Sequence, residues 1–374
     1  MTDAVLTPFS WAYGAGVWAR NAAFDAGMLR QESFDVPVIS VGNITVGGTG
    51  KTPHVEYIIE ALHDRYNIGV LSRGYKRHTS GFVMARDTLT SRDLGDEPYQ
   101  IYRKFQGMIS LAVCESRTRG IKEMLRVRPD INLFVLDDAF QHRYVKPKVS
   151  IVLLDYNRMP GKDHLMPLGS LREPMSSLNR ADVVVVTKCP PDFSPIDRRV
   201  MKKDLDLFPS QQLFFSSVQY GTPRPVFGMG SSALTSLTTL TPDDALLGVT
   251  GIANHLPFMR YLRQWKAPVK VIHYSDHHDF TREDFRYIEK LFGQTQAHRK
   301  FIVTTEKDAV RIINSPYFPL ELRDSIYYIP IKVHFDYEAN EGRDFVDELV
   351  KLIEKPADEM ALPGRPRDDD EPYA

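Results

Sequence analysis

Cysteine, long apolar runs and excess charge are all scarce in this 374-residue chain, and each shortage excludes a class of protein. The two cysteines, Cys114 and Cys189, have no metal-ligand spacing and provide no disulfide framework, which indicates a reducing compartment. No apolar run approaches the ~20 residues that a membrane-spanning helix requires. The net charge of −1 gives no reason to expect nucleic acid as a partner.

What is present is the composition of an ordinary globular protein. Apolar residues make up 43% of the chain and charged residues 25%. The length is sufficient for two domains. The N-terminus lacks the basic and apolar segments of a secretory signal. We therefore expect a cytosolic protein, or one bound to a membrane surface from the cytosolic side.

A glycine-rich segment at 41–53 has the residues of a phosphate-binding loop. It follows an apolar run, Val36–Val41, that predicts a buried strand, and it precedes a helical pattern. Such a turn presents backbone N–H groups to an anion, its lysine adds positive charge, and its last hydroxyl can reach magnesium. The predicted nucleotide-binding residues are Thr45, Val46, Gly47, Gly48, Thr49, Gly50, Lys51 and Thr52. Thr45 replaces the first glycine of the usual GxxxxGK[ST] pattern.

Apolar runs alternate with helical patterns along the chain, which predicts an α/β fold with a P-loop NTPase-like parallel sheet and helices on both faces. The runs that follow the loop are Ile68–Ser72, Met108–Val113, Ile131–Leu136, Val149–Leu154 and Val183–Val186. A second series begins at Leu246 and predicts a smaller α/β/α domain. We expect a kinase-type core at 1–225, a linker at 226–243, the second domain at 244–355 and a disordered acidic tail at 356–374.

Carboxylates follow or precede the predicted elements where ligands of parallel sheets bind. Asp137 and Asp138 follow an apolar strand, as in a Walker B element, and are candidates for holding magnesium directly or through water. Asp96 and Glu97 lie at a predicted helix start. Acids are ordinary there, but the pair would equally suit a magnesium ligand and a general base.

Residues 7–30 predict a helix with Trp11 and Trp18 on one face. Two of the three tryptophans of the chain lie in this segment. A face of this kind suits a helix that lies at a membrane surface, and it would equally suit packing on the body of the protein.

Two later segments leave alternatives open. His277 and His278 lie among aspartates, which would suit either a metal site or a His–Asp pair that tunes a base. The segment 304–308 would suit contact with a nucleotide base or an ordinary helix start, and Thr187–Lys188 is a weaker signal of the same kind. Arginines that follow the strand ends would form a basic wall for an acceptor that carries phosphate.

Seven motifs occur in one order along the chain: VGNITVGGTGKTP at 41–53, SRGY at 72–75, GDEP at 95–98, DDAFQH at 137–142, LREP at 171–174, DHH at 276–278 and TEKDAV at 305–310. With them the chain resembles the tetraacyldisaccharide 4'-kinase family, the lipid A 4'-kinases of Gram-negative bacteria. The phosphate loop of that family also lacks the first consensus glycine, so Thr45 agrees with the resemblance.

The resemblance implies ATP-dependent phosphorylation of the 4'-hydroxyl of tetraacyldisaccharide 1-phosphate, which gives lipid IVA in lipid A biosynthesis. It implies ATP and Mg²⁺ as cofactors and a peripheral position on the cytoplasmic face of the inner membrane, reached through the N-terminal helix. The implied partners are the lipid disaccharide and the membrane surface, with no nucleic acid.

The resemblance also implies roles for individual residues. Asp96 would be the catalytic base, paired with His277, and Lys51 would neutralise phosphate charge. The residues near magnesium would be Thr52, Glu97, Asp137 and Asp138. The lipid headgroup site would be lined by Asn21, Arg73, Tyr75, Arg117, Arg119, His142 and Arg172, where Arg117 and Arg119 are alternatives for one arginine of the family.

Two other functions compete with the kinase. One is a regulatory or assembly P-loop NTPase in which Thr187–Lys188 or Lys307–Asp308 reads a guanine base. Such proteins commonly carry a lysine before the paired glycines, and Val46 occupies that position here. The other is a membrane-bound nucleotide-binding scaffold without turnover. Transfer of phosphate from ATP to a lipid acceptor distinguishes the kinase from both.

Overall fold

A computed structural model describes residues 2–228 and 234–356 of the chain. The strands are β1 Val38–Asn43, β2 Ile68–Ser72, β3 Val83–Met84, β4 Ser110–Val113, β5 Leu133–Asp137, β6 Val149–Asp155, β7 Val183–Thr187, β8 Gln212–Phe215, β9 Ser217–Tyr220, β10 Arg224–Pro225, β11 Ala245–Thr250, β12 Val269–His273, β13 Lys300–Thr305, β14 Ile326–Ile329 and β15 Ile331–His334. The helices are α1 Thr2–Asp25, α2 Lys51–Leu62, α3 Ser91–Leu94, α4 Asp96–Lys104, α5 Arg117–Val127, α6 Pro195–Leu205, α7 Leu256–Leu262, α8 Arg282–Gln294, α9 Glu306–Ile313 and α10 Phe345–Glu354. The predicted acidic tail lies outside the described residues from 357 onward.

The first sheet joins eight strands of the described chain in the order β3-β4-β2-β5-β1-β6-β7-β8. Every neighbouring pair is parallel except β3 with β4. Alternate side chains point to opposite faces, so that Val41 and Val135 share a core with α2, whereas Val38 and Leu136 share one with α5. Helices therefore cover both faces, and the predicted parallel α/β fold is confirmed.

The second sheet has five strands in the order β10-β14-β13-β11-β12, of which only β10 runs antiparallel to its neighbour in the described residues. Helix α8 packs Phe285 on one face of this sheet, and helix α7 packs Leu262 on the other. Leu234, Leu237 and Leu240, from the segment predicted as a linker, are buried in the same core as α7.

The chain passes twice between the two sheets, and each passage lies between two consecutive strands. Ser216 separates β8 from β9, and Pro330 separates β14 from β15. Strands β9 and β15 pair with each other in an antiparallel two-stranded sheet. Helix α10 then packs Phe345 and Leu349 into the core of the first sheet. We therefore propose a first domain of 2–216 with 335–356 and a second domain of 221–330, instead of assigning all of 244–355 to the second domain.

Helix α1 differs from its predicted bounds of 7–30. It begins at Thr2 and ends at Asp25, shortly before Gly27 takes a left-handed φ of 71°. Glycine in that conformation commonly ends a helix. None of the helices in the described residues has both the length and the apolar character to cross a bilayer.

One side of α1 contacts the first domain, while its indoles face outward. Tyr13 donates a hydrogen bond from its hydroxyl to the carbonyl of Arg172 at 2.9 Å. Trp11 and Trp18 are 74% and 72% exposed. The tryptophan face therefore does not pack on the part of the protein that the structure describes.

Helices α4 and α9 join the two domains. Asp96 at the start of α4 contacts Arg311 near the end of α9, and Lys104 at the end of α4 lies 3.8 Å from Glu306 at the start of α9. The two helices are therefore antiparallel, with apolar side chains of both between the charged pairs. This contact places residues of the second domain at the carboxyl edge of the first sheet.

Candidate active site

The predicted phosphate loop occupies the connection from β1 to α2. Gly47 and Gly50 have φ values of 98° and 91°, which glycine adopts without steric cost. Gly50 is the N-cap of α2 and supplies no side-chain cap. The first N–H groups of α2 can therefore bind an anion, and Lys51 and Thr52 follow as the first two residues of the helix.

Side chains from β7 and its following loop support the phosphate loop. Thr187 donates a hydrogen bond from Oγ1 to the carbonyl of Thr49 at 2.8 Å, and Lys188 donates from Nζ to the carbonyl of Gly48. The sequence of Thr187–Lys188 would also suit a reader of a nucleotide base. In this structure both side chains instead fix the backbone of the loop.

Asp137 and Asp138 lie at the end of β5, beside the loop. Asp138 Oδ1 is 3.5 Å from Lys51 Nζ and 3.1 Å from Arg172 Nη1. Burial acts to raise the pKa of Asp138, but these two cations outweigh it and lower that pKa. For Asp137, burial raises the pKa to about 7, and the charges of Glu97 and Asp138 add to the shift. This cluster of carboxylates therefore favours a nearby cation.

The residues around Asp137 fit a magnesium ion that is bound partly by phosphate and water. No group of three or more His, Cys, Asp or Glu side chains in residues 2–228 and 234–356 is arranged to hold a metal by itself. Mg²⁺ commonly uses one or two carboxylates, phosphate oxygens and waters, so it does not require such a group. Asp137 Oδ2 accepts a hydrogen bond from Ser72 Oγ at 3.0 Å, whereas its buried Oδ1 has no hydrogen-bond partner among the described residues. An unpaired buried carboxylate oxygen beside a phosphate loop is a suitable magnesium ligand.

The structure brings Asp96 and His277 together across the domain contact. Asp96 is the first residue of α4, and its Oδ2 lies 3.3 Å from Nδ1 of His277. His277 has a φ of 58°, which is uncommon for a residue other than glycine. Residues held in such conformations cluster at functional sites. The neighbouring His278 instead points Nε2 at Asp284 Oδ2, 2.8 Å away. The geometry therefore agrees with pairing Asp96 to His277 rather than to His278.

Two cations of α9 border this pair, and neither was predicted in this role. Arg311 donates from Nε to Asp96 Oδ2 at 2.7 Å. Lys307 Nζ lies 3.1 Å from His277 Nε2 and 3.5 Å from Glu97 Oε1. Burial acts to raise the pKa of Asp96, but the hydrogen bond with His277 and the charge of Arg311 lower it overall. The four-residue spacing of the two cations was a signal that they share a helix face, but it does not show what that face contacts.

The segment 304–308 forms the start of α9, which is one of the two alternatives that its sequence suits. Thr305 is the N-cap of α9, and its Oγ1 accepts a hydrogen bond from the N–H of Asp308 at 3.2 Å. Asp308 is fully buried and accepts a further bond from the N–H of Gly251. Its carboxylate is therefore held within the second domain.

Several predicted headgroup residues lie around the same edge. Tyr75 is exposed, and its ring centroid is 5.7 Å from that of His277. Arg73 is exposed directly after β2, and Arg172 contacts Asp138 as described above. His142 is half-buried after β5, with burial as the main cause of its lowered pKa.

The remaining three predicted headgroup residues differ in accessibility. Arg117 is buried and donates to the carbonyls of Cys114 and Asp137, at 2.9 Å and 3.0 Å. It therefore supports the backbone beneath the carboxylates, whereas Arg119 is exposed on the same helix. Asn21 donates from its amide to Glu173 Oε2 at 3.2 Å, which ties α1 to the segment that carries Arg172.

Comparison with known proteins gives consistent results across the whole chain. A family model described as tetraacyldisaccharide-1-P 4'-kinase matches residues 2–351. Tetraacyldisaccharide 4'-kinase of Bacteroides thetaiotaomicron is 49% identical over 335 residues, which is 88% of either chain. The Bacteroides fragilis protein of the same name is 45% identical over 362 residues, 96% of either chain.

A solved structure agrees with these sequence matches. LpxK from Aquifex aeolicus, in a structure determined in complex with ATP, is 27% identical with a TM-score of 0.72, over 94% of this chain and 98% of that one. The resemblance drawn from the seven motifs is thereby confirmed. The chain belongs to the tetraacyldisaccharide-1-P 4'-kinase family.

Proposed function

We propose that this protein transfers the γ-phosphate of ATP to the 4'-hydroxyl of tetraacyldisaccharide 1-phosphate. The observation that carries the proposal is the convergence of three parts at one edge of the first sheet. These are an uncapped, glycine-rich helix start at Gly50, the carboxylates of Asp137 and Asp138, and the Asp96–His277 pair. Family membership favours this reaction over a regulatory NTPase or a scaffold without turnover.

The proposed reaction is an in-line phosphoryl transfer. The acceptor oxygen forms a bond to the γ-phosphorus, the bond from that phosphorus to the β–γ bridging oxygen breaks, and ADP leaves with the electron pair. Asp96 takes the hydroxyl proton, with His277 as its hydrogen-bonded partner. Lys51 and the N-terminus of α2 hold the phosphates and stabilise the charge that develops on them.

Thr52, Asp137 and Asp138 are the residues that we propose to hold magnesium, with Glu97 beside them. Bound Mg²⁺ neutralises charge on the β- and γ-phosphates. Lys51 already lies beside Asp138, and the orphaned Oδ1 of Asp137 supplies an oxygen ligand without breaking a hydrogen bond. These residues therefore have the chemistry that a nucleotide-bound magnesium ion requires.

The acceptor explains the exposed face of α1. A lipid with four acyl chains does not leave the bilayer readily, so the enzyme has to reach its substrate at the surface. Trp11 and Trp18 are exposed on the outer side of α1, together with Phe9. Indole rings favour the headgroup region of a bilayer. We propose that α1 binds the cytoplasmic face of the inner membrane and delivers the headgroup to Arg73, Tyr75, Arg119, His142 and Arg172.

Transfer of label from γ-labelled ATP to tetraacyldisaccharide 1-phosphate tests the reaction. The wild-type protein is expected to label the lipid, and Asp96→Ala is expected to lower the rate by about 10²–10⁴-fold, the range for loss of a general base. Asp130→Ala is a matched control, because this exposed aspartate lies just before the first residue of β5, at the end of the strand away from Asp137. Hydrolysis of GTP without labelled lipid would support the regulatory NTPase. Undiminished labelling by Asp96→Ala would exclude Asp96 as the base.

Sedimentation with phospholipid vesicles tests the membrane face. The double variant Trp11→Ala/Trp18→Ala is expected to bind vesicles several-fold more weakly, since it loses the exposed indoles. Tyr317→Ala/Leu320→Ala removes two exposed apolar side chains from the second domain and is expected to bind as the wild type does. Equal binding by the tryptophan variant and the wild type would refute the role of α1.

A further inference from the structure

Each of the three guanidinium nitrogens of Arg311 has a polar neighbour at the contact between α4 and α9. Its Nε donates to Asp96 Oδ2 at 2.7 Å, and its Nη1 donates to the carbonyl of Gly251 at 3.1 Å and to Asp308 Oδ1 at 3.0 Å. Its Nη2 lies 3.1 Å from Nδ1 of His277. The side chain is only 5% exposed. A planar guanidinium with this many fixed neighbours has little freedom to move.

The anchor of Arg311 belongs entirely to the second domain. Asp308 is fully buried, and its Oδ2 accepts hydrogen bonds from the N–H of Gly251 at 3.0 Å and from Thr305 Oγ1 at 2.7 Å. The carboxylate that orients Arg311 is therefore fixed by backbone and side chain of its own domain. The guanidinium is already in place where it meets Asp96 of the first domain.

Both ring nitrogens of His277 lie beside a cationic donor. Lys307 Nζ is 3.1 Å from Nε2, and Arg311 Nη2 is 3.1 Å from Nδ1. Nδ1 is also 3.3 Å from Asp96 Oδ2. Arg311 and His277 therefore both lie against the same oxygen of Asp96.

That arrangement leaves the two oxygens of Asp96 unequal. Oδ2 accepts a hydrogen bond from Arg311 and lies beside Nδ1 of His277, whereas Oδ1 has no hydrogen-bond partner among the described residues. We infer that Arg311 is a positioning residue for phosphoryl transfer: it holds Oδ2 of Asp96 so that Oδ1 takes the proton of the acceptor hydroxyl. This inference rests on the proposed kinase function and extends it to a residue of the second domain and to one oxygen of the base.

The charge of Arg311 makes Asp96 a weaker base, so its contribution is to geometry. In a loose transition state of phosphoryl transfer, the position of the groups matters more than their basicity. A misplacement of about 1 Å can lower a rate by about 10²-fold. A fixed arginine that holds one oxygen of the carboxylate is a direct way to limit such misplacement.

Arg311→Met removes the contact while keeping an unbranched side chain. Its kcat is expected to fall by about 10–100-fold, with the KM for ATP unchanged within about two-fold, since the phosphate loop is untouched. In single turnover with excess enzyme, the same substitution in an Asp96→Asn background is expected to lower the residual rate by less than about three-fold. A residue that acts only through Asp96 contributes little to the rate once that carboxylate has been replaced.

Two further variants separate positioning from folding. Arg299→Met breaks a matched arginine–aspartate pair, in which Asp244 Oδ2 lies 2.7 Å from Arg299 Nη2. Asp244 directly precedes β11, so this pair lies at the end of the second sheet away from Arg311. It is expected to lower thermal stability and leave kcat unchanged. Arg311→Lys keeps a positive charge beside buried Asp308, so it is expected to fold, but a single ammonium cannot make all of these contacts and kcat is expected to fall by about 10-fold.

Wild-type kcat in both Arg311 variants would overturn the inference. An equal fold-loss in the wild-type and Asp96→Asn backgrounds would also overturn it, because Arg311 would then act independently of Asp96. Failure of the wild-type protein itself to label the lipid would refute the proposed function instead. The two failures are therefore distinguishable in one set of assays.

Discussion

Helices α2 and α9 occupy equivalent places in their two sheets, yet they contribute to the site in opposite ways. Each follows a parallel strand at the carboxyl edge of its sheet. The N-cap of α2 is Gly50, without a side-chain cap, whereas the N-cap of α9 is Thr305, which accepts a hydrogen bond from the N–H of Asp308. The helix start of α2 is open to a phosphate, and that of α9 is satisfied internally.

The two domains therefore contribute different groups to the candidate site. In the proposed reaction, the first domain supplies backbone groups for phosphate and the carboxylate of Asp96 as base. The second domain supplies side-chain charges, Lys307 and Arg311, that lie against Asp96 and His277. Between them, α4 carries Asp96 at its start and Lys104 at its end, and both residues face α9. Neither domain holds the complete set of reacting groups.

The largest effect is expected at the buried charged group that joins α2, α4 and α9. Lys104 Nζ is paired with Glu56 of α2 and lies 3.8 Å from Glu306 of α9. Lys104→Met leaves Glu56 buried without its cation and is expected to lower the free energy of unfolding by about 3–5 kcal/mol. Denaturant unfolding measures the change. Lys122→Met, which removes an exposed pair with Glu32, is the control and should change it by less than about 1 kcal/mol.

Lys51→Met tests the contribution of the open helix start of α2 to phosphate transfer. Loss of this charge from the open helix start is expected to lower kcat by about 10²–10³-fold, the range for removing one stabilising donor from a charged transition state. Steady-state transfer to the lipid measures it. Lys146→Met, at an exposed lysine near the opposite edge of the first sheet, should retain full activity. Comparable loss in the two variants would indicate a general charge effect rather than one at the loop.

The pH dependence of stability in Glu306→Gln tests the α9 side of the charged group. Burial raises the pKa of Glu306 to about 7, with the charge of Glu56 adding to the shift. A raised carboxyl pKa means that the folded protein binds the proton more tightly than the unfolded chain, so stability is lost as pH rises from about 4.5 to about 7. Glutamine mimics the protonated form. Its advantage over the wild type is expected to grow by up to about 3 kcal/mol across that window, and a pH-independent difference would contradict this account.

Thr305→Ala gives the smallest expected effect. Removal of the cap is expected to cost about 1 kcal/mol of stability, and the KM for ATP is expected to stay unchanged, because the start of α9 is capped internally. Ser116→Ala, which removes the corresponding cap of α5, should cost a similar amount. A large rise in the KM for ATP in the Thr305 variant would show that α9 also contacts the nucleotide.

The parts of the site that were predictable are those formed by neighbouring residues in the chain. The phosphate loop is a contiguous segment, and the parallel sheet follows from the apolar runs, so periodicity and glycine spacing were sufficient for both. The pairing of Asp96 with His277 came from the family resemblance. Spacing alone left each of them with an alternative.

The rest depends on how two sheets meet, which no local pattern encodes. Arg311 is an ordinary arginine in an amphipathic helix until α9 is placed against α4. Arg117 illustrates the converse, because it was one of two candidates for a headgroup arginine, yet it is buried beneath Asp137. The return of α10 to the first core was also missed, since an amphipathic helix does not specify which sheet it covers.

We propose that residues of both domains act as one unit on the transferred phosphate. Single-turnover transfer from ATP to tetraacyldisaccharide 1-phosphate, measured for Asp96→Asn, His277→Asn and the double variant, tests this proposal. We expect rate losses of about 10³-fold for Asp96→Asn and about 10²-fold for His277→Asn, and a double variant about as slow as the Asp96→Asn protein. Losses that multiply in the double variant would contradict it, because the two residues would then act independently.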